Sequence, residues 1–175
     1  EKKLTDDKTK DEKITAYARI GSSPIIYNIS PEKYKDLMAA SYDSFRHLEL
    51  FYGNFNDIIR IDFELEGSNY TIRSDKKGDK RYYYYNDEEI DILNLQTALR
   101  SLKAEKFTDE KAIKKKEISL IIHLDNPNFP EIKIDLYRYD GSYCLAVVNG
   151  EPLSLVKRSN VVDLIETVYA IVLNN

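Results

Sequence analysis

The sequence predicts an α+β fold, with antiparallel sheets of short strands and three helices packed on one face. Three observations carry that expectation. Apolar and polar residues alternate strictly in several segments, as where Ile59, Ile61, Phe63 and Leu65 flank Arg60, Asp62 and Glu64. A period of two marks a half-buried strand. Turn pairs such as Asp140-Gly141 and Asn149-Gly150 separate such segments at hairpin distance. Three other stretches switch to apolar spacings of three and four, the stripe of an amphipathic helix.

The elements follow in order. Glu1 to Lys13 reads EKKLTDDKTKDEK, with Leu4 as its apolar residue. Burial cannot offset the ordering of such a segment, so a disordered leader is expected. Ile14 to Ile20 and Ile25 to Ile29 read as strands around the turn Gly21 to Pro24. Ser30-Pro31 opens a helix, with Ser as N-cap and Pro at its first position. Tyr34, Leu37, Met38, Tyr42 and Phe45 give that helix a stripe to about Arg46. Leu48 to Tyr52 reads as a short strand. The alternating strand over Ile59 to Leu65 returns through Tyr70 to Arg73, and Ser74 to Lys80 reads as a polar loop. Arg81 to Tyr85 is the next strand and Asn86 to Asp91 an acidic turn. Ile92, Leu95, Leu99 and Leu102 predict a second helix to about Lys106.

Thr108 to Lys116 is a charged linker. Ile118 to Leu124, Ile132 to Arg138, Tyr143 to Val148 and Leu153 to Val156 read as four strands. Asn160 is expected to cap a third helix whose Val161, Leu164, Ile165, Val168, Ile171 and Val172 face inward. Strands followed by a helix thus recur three times. Ala18 to Leu37 also aligns with Ala146 to Leu164, each reading strand, a turn from Gly to Pro, strand, Ser and helix. The expected organisation is a leader over 1–13 and one module over 14–175, built of about two and a half repeats (14–47, 48–107 and 117–175).

Composition narrows the function. A net charge of -4 over 175 residues argues against a protein that wraps nucleic acid. One cysteine, Cys144, leaves no internal disulfide and no cysteine-based zinc site. Apolar runs fall short of the roughly 20 residues that span a bilayer. His47 and His123 stand without partners at metal-ligand or catalytic spacing. Cys144, between Tyr143 and Leu145, reads as a buried small hydrophobe. Carboxylates are plentiful, among them Asp62, Glu64, Asp87, Glu88, Glu89, Asp125, Asp135 and Asp140, but they sit at turns and on polar faces. Asp125-Asn126-Pro127-Asn128 lacks the glycine and distant glutamate of a calcium loop. Phosphate-cradling glycine loops are absent. No catalytic residue, cofactor or metal is expected.

The feature that invites a partner is the run Arg81, Tyr82, Tyr83, Tyr84 and Tyr85, which follows the basic Arg73, Lys76, Lys77 and Lys80. Tyrosine pairs a large apolar ring with a polar tip and suits interfaces. In a strand Tyr82 and Tyr84 share one face, and Tyr83 and Tyr85 the other. One pair is expected in the core. The other forms a ridge able to stack on a partner peptide or a sugar.

The order of motifs resembles the domain-of-unknown-function family 4340. The matching phrases are Tyr17-Ala18-Arg19, the turn Gly21 to Pro24, Ile25-Ile26-Tyr27, and the helix from Pro31. Next come Ile58-Ile59-Arg60-Ile61-Asp62-Phe63, the aromatic strand Tyr82 to Tyr85 with tyrosine where the family usually has tryptophan, and Leu102-Lys103-Ala104-Glu105-Lys106-Phe107. Thr108 to Lys116 stands where the family often carries Tyr-Gly-Leu-Asp-Pro. The resemblance implies a bacterial protein with an N-terminal membrane anchor and its repeats outside the cytoplasmic membrane. Some relatives are encoded beside, or fused to, export-type ABC transporters, including those of gliding motility. It implies no catalytic residues.

The expected function is therefore a noncatalytic extracytoplasmic binding or assembly module. It would serve a membrane transport or cell-envelope complex through a protein partner, or through a glycan. The alternative is an envelope glycan hydrolase, which needs two converging carboxylates. The absent initiator Met, a first repeat without opening strands and the polar leader lead to one more expectation: a membrane tether upstream of Glu1.

Overall fold

The computed structural model describes residues 15–173. The expected leader over 1–13 lies outside them. The chain divides into two compact units, one ending at Arg46 and one beginning at His47.

The first unit is small. Strands β1 (Ala16–Ala18) and β2 (Tyr27–Ile29) pair antiparallel, with Ala16 opposite Ile29. Helix α1 (Pro31–Ala39) starts as its sequence dictates: the Ser30 hydroxyl accepts from the Lys33 N–H and Pro31 occupies the first turn. It stops at Ala40, whose extended backbone ends the ladder. Residues expected to prolong it form a single 3-10 turn, Tyr42–Phe45. The stripe does not enter a core. α1 buries no residue, and Leu37, Met38, Tyr42 and Phe45 are 54%, 69%, 81% and 72% exposed. A three-pair hairpin and a nine-residue helix offer too little surface to enclose four large side chains. The first unit by itself therefore gives the α1 stripe no core to pack on, unlike the stripes of the other two helices.

The second unit holds one nine-stranded antiparallel sheet. Its strands are β3 (Ile58–Leu65), β4 (Ser68–Lys77), β5 (Lys80–Tyr85), β6 (Glu88–Ile90), β7 (Ala104–Phe107), β8 (Lys116–Leu124), β9 (Glu131–Arg138), β10 (Tyr143–Val148) and β11 (Glu151–Lys157). Their order across the sheet is β6-β5-β4-β3-β8-β9-β10-β11-β7. Two meanders thus meet at β3 and β8 in the centre. Helix α2 (Leu93–Ser101) follows β6, and helix α3 (Arg158–Leu173) follows β11. Glu66 and Gly67, Asn86 and Asp87, and Asn149 and Gly150 all have positive φ. Tight two-residue hairpins require that geometry.

The alternation decides which face is dry. Ile72, Ile61, Ile122 and Ile132 stand opposite one another on four adjacent strands and are at most 1% exposed. Leu95, Ala98 and Leu99 of α2 and Val161, Leu164 and Val168 of α3 join the same core. Each fully buried aliphatic side chain there contributes roughly 1.5–3 kcal/mol relative to exposure. Within this unit α2 and α3 both pack on this face, so the other face of β3–β6 and β8 carries neither of its helices.

Several boundaries differ from expectation. The second helix ends at Ser101, not near Lys106, and Ala104–Phe107 forms β7 against β11. The 3.6-residue stripe ends at Leu102, after which pairing with an open strand edge outweighs the helical propensity of Lys103 to Lys106. The acidic turn contains β6, held by Tyr83 opposite Ile90. The polar loop is mostly strand, since β4 continues to Lys77 and only Gly78 and Asp79 turn. Leu48 to Tyr52 contributes an isolated bridge, Glu49 with Lys103. Asn160 lies inside α3 and caps nothing; its Nδ2 donates to the Ser101 carbonyl at 2.7 Å, tying α3 to the end of α2.

Candidate functional site

The helix-free face of the sheet assembles polar and aromatic side chains from six strands into one row. Glu89, Tyr84, Arg73, Arg60, His123 and Glu131 are successive cross-strand partners on β6, β5, β4, β3, β8 and β9. At the usual strand spacing the row spans about 24 Å. Period-two alternation aims all six away from the helices, because their neighbours Ile61, Ile72, Tyr83, Ile122 and Ile132 face the core.

The tyrosine run divides only in part as its alternation predicts, since Tyr83 is buried while Tyr82, Tyr84 and Tyr85 are all half-buried. Tyr83 is 7% exposed, and its hydroxyl donates to the Phe55 carbonyl at 2.8 Å. Burial pushes its pKa above the ordinary tyrosine value. Tyr85 packs partly buried against the same core. Tyr82 and Tyr84 lie on the helix-free face. Lys77 sits 5.4 Å from the Tyr82 ring centroid and 5.9 Å from that of Tyr84. Its Nζ also donates to the Tyr84 hydroxyl at 3.3 Å, which raises the lysine pKa. Such contacts hold the two rings as a ridge capped by a cation. Arg81 behaves differently from its neighbours. Its side chain is 5% exposed. Nε donates to the Asn56 carbonyl at 2.7 Å and Nη1 to Ser74 at 3.0 Å, while Asp125 lies 3.7 Å from Nη2. Arg81 therefore braces the sheet from inside.

Beside the ridge lies a network that local sequence reasoning missed. Asp62 Oδ1 accepts from the Thr71 hydroxyl at 2.8 Å, and Oδ2 lies 3.0 Å from Arg60 Nε and 2.9 Å from His123 Nε2. Arg60 Nη2 is 2.9 Å from the same His123 nitrogen, and Glu131 stands 3.5 Å from Nδ1. Burial alone would raise the Asp62 pKa. The hydrogen bonds from Thr71 and His123 and the charge of Arg60 outweigh it and hold the carboxyl below the usual aspartate value. Arg73, directly opposite Arg60, is exposed and has no ion-pair partner among the described residues. Two guanidiniums face to face repel, so this point of the row favours an incoming anion or carbonyl. The alternation of Arg60 and Asp62 was visible in the sequence. Their meeting with His123, 61 residues beyond Asp62, needs the β3–β8 register.

The other candidates settle into structural positions. His47 stacks on Tyr52 at 5.9 Å. Cys144 is buried beneath α3. Asn126 Oδ1 accepts from the Asn128 N–H, so the Asp125 to Asn128 segment is a turn closed on itself. Among the described residues, no group of three His, Cys, Asp or Glu side chains is placed to hold a metal ion.

On β10 and β11 the same sheet face is closed. Leu145, Val147 and Leu155 are 2%, 9% and 8% exposed although they point away from the helices. The continuous polar row is thus carried by β3 to β6 with β8 and β9, while on β10 and β11 this face keeps Lys157 exposed at the strand end, paired with Glu105. No protein-family model, no curated protein and no solved structure matches this chain.

Proposed function

We propose that the protein is a noncatalytic binding or assembly module that engages a protein partner through the helix-free sheet face. The observation that carries this reading is the row Glu89, Tyr84, Arg73, Arg60, His123 and Glu131, flanked by the Tyr82 and Lys77 cap. Rigid aromatic rings beside arginines are the residue types that dominate protein interfaces. An open face about 24 Å long suits a polypeptide better than an enclosed small molecule. The resemblance to family 4340 supports an extracytoplasmic setting and service to a membrane transport or cell-envelope complex. Under this reading β3–β6 with α2 and β8–β11 with α3 are copies of one repeat, and the first unit is a partial third.

A glycan hydrolase is the second reading. The groove between α2 and α3, about 630 Å³, is lined by Asp91, Asp163 and Glu166. A general acid needs a carboxyl withdrawn from water; all three are exposed. That geometry favours the binding reading.

Photo-crosslinkers at positions 73 and 84 in the native host, with position 163 on α3 as control, test it. The expected result is adducts from 73 and 84, but not 163, with a membrane transport or envelope component. Adducts of equal yield from all three positions, or release of sugars from purified envelope glycan by the protein, would overturn it.

A further inference from the structure

A second site lies on the opposite side of the sheet. Between the start of α3 and the β3–β4 turn is a cavity of about 490 Å³, within the range of small-molecule sites. Its chemistry is divided. Leu65, Val162 and Ile165 form an apolar wall; Lys115, Arg138 and Arg158 supply cations. Glu117, whose side chain is 9% exposed, anchors both arginines through one oxygen: Arg138 Nε lies 2.7 Å and Arg158 Nε 3.4 Å from Oε1. Glu66 completes the lining, and its Oε2 accepts from the Tyr169 hydroxyl at 2.8 Å, fixing the turn against α3.

Two features make this more than a buried ion pair. Each guanidinium contacts Glu117 through Nε. Among the described residues, Glu117 is the one anionic partner of either arginine, and Lys115 makes no ion pair. Three cationic side chains therefore face two anionic ones, an excess of one positive charge. An arginine fork pairs with a planar carboxylate in two parallel hydrogen bonds. A single negative charge balances the site, whereas a doubly charged phosphate would bring uncompensated charge close to Glu117.

We propose that this cavity binds a small monocarboxylate with an apolar body. The carboxylate sits on the Nη edges of Arg138 and Arg158 near Lys115, and the apolar body lies along Leu65, Val162 and Ile165. Nothing in this depends on the tyrosine face, so the two readings stand or fall separately.

Calorimetric titration of the full chain with octanoate, acetate, octylamine, octanol and inorganic phosphate tests the idea. Octanoate is expected to bind at one saturable site, at least about tenfold tighter than each of the others. In isotope-labelled protein the largest amide shifts should fall at Glu66, Lys115, Val162 and Ile165. Arg158→Gln and Lys115→Gln should each weaken octanoate by about tenfold while circular dichroism stays unchanged. Should Arg158→Gln fail to fold, Lys115→Gln decides, since that side chain braces nothing described. Lack of saturation by octanoate up to about 10 mM would overturn the proposal. So would equal binding of octylamine or octanol, tighter binding of phosphate, or an unchanged affinity in the folded variants.

Discussion

Single residues already set measurable behaviour. Burial would raise the Glu117 pKa, but the hydrogen bond from Arg138, the charge of Arg158 and the Cys144 thiol outweigh it, and the carboxyl titrates below the ordinary glutamate range. A group depressed in the folded state adds stability that is complete above its unfolded pKa and is lost as pH falls through its folded one. Asp62 acts in the same direction. Stability should therefore start to fall below about pH 4–5 and keep falling with further acid. Glu117→Gln should flatten that limb in urea titrations and cost about 1–3 kcal/mol at neutral pH, because two arginines lose their shared acceptor. Cys144 shows the converse. Burial, then the charge of Glu117, pushes its thiol up to about 12. It should resist iodoacetamide at mildly alkaline pH in the native protein and react readily in urea. Tyr83→Ala should cost about 3–5 kcal/mol, as large aromatic truncations do, whereas Tyr82→Ala with Tyr84→Ala should barely change stability yet abolish crosslinking at the sheet face. Equal losses from all of these replacements would make the ridge a core feature.

At the scale of elements, the two kinds of helix diverge. α2 and α3 lie over the sheet, and Leu99 is 1% exposed. Leu99→Ala should cost about 2–5 kcal/mol in denaturant unfolding. Leu37 has the same spacing within its stripe but is 54% exposed in α1, so Leu37→Ala should stay within about 0.5 kcal/mol. Similar losses at both positions would mean that α1 is packed as α2 is. The edges of the sheet differ from its centre as well. β6 and β7 have three and four residues, while β3 and β8 have eight and nine. Amide exchange should be fastest on β6 and β7 and slowest on β3, β8 and β9.

At the scale of the molecule, every buried apolar core residue among the described residues comes from Leu50 onward. The second unit thus owns a complete core of sheet and two helices. A chain beginning at His47 should unfold cooperatively, with a midpoint close to that of the full chain. A broad, low-temperature transition would show that the first unit is needed for the second to fold.

How much of this was legible depended on range. Strands β3, β8 and β9 announced themselves through alternation, α3 through its stripe, and the split of Tyr83 from Tyr82 and Tyr84 through strand parity. All are properties of a chain segment and its period. β6 and β7 did not show, because Glu88 to Ile90 and Ala104 to Phe107 are strands only by virtue of the neighbours they pair with. The burial of Arg81 was hidden for the same reason, since its partners Asn56 and Asp125 are far away in sequence. Local patterning by itself determined that this chain makes antiparallel strands and amphipathic helices, and which side of most strands is apolar. Tertiary structure alone decided that two meanders join at β3 and β8, that the first unit builds no core under the α1 stripe, and that Asp62 meets His123 while Glu117 meets Arg138 and Arg158. Register and long-range pairing bring those groups together, and a period read along one segment carries no information about either.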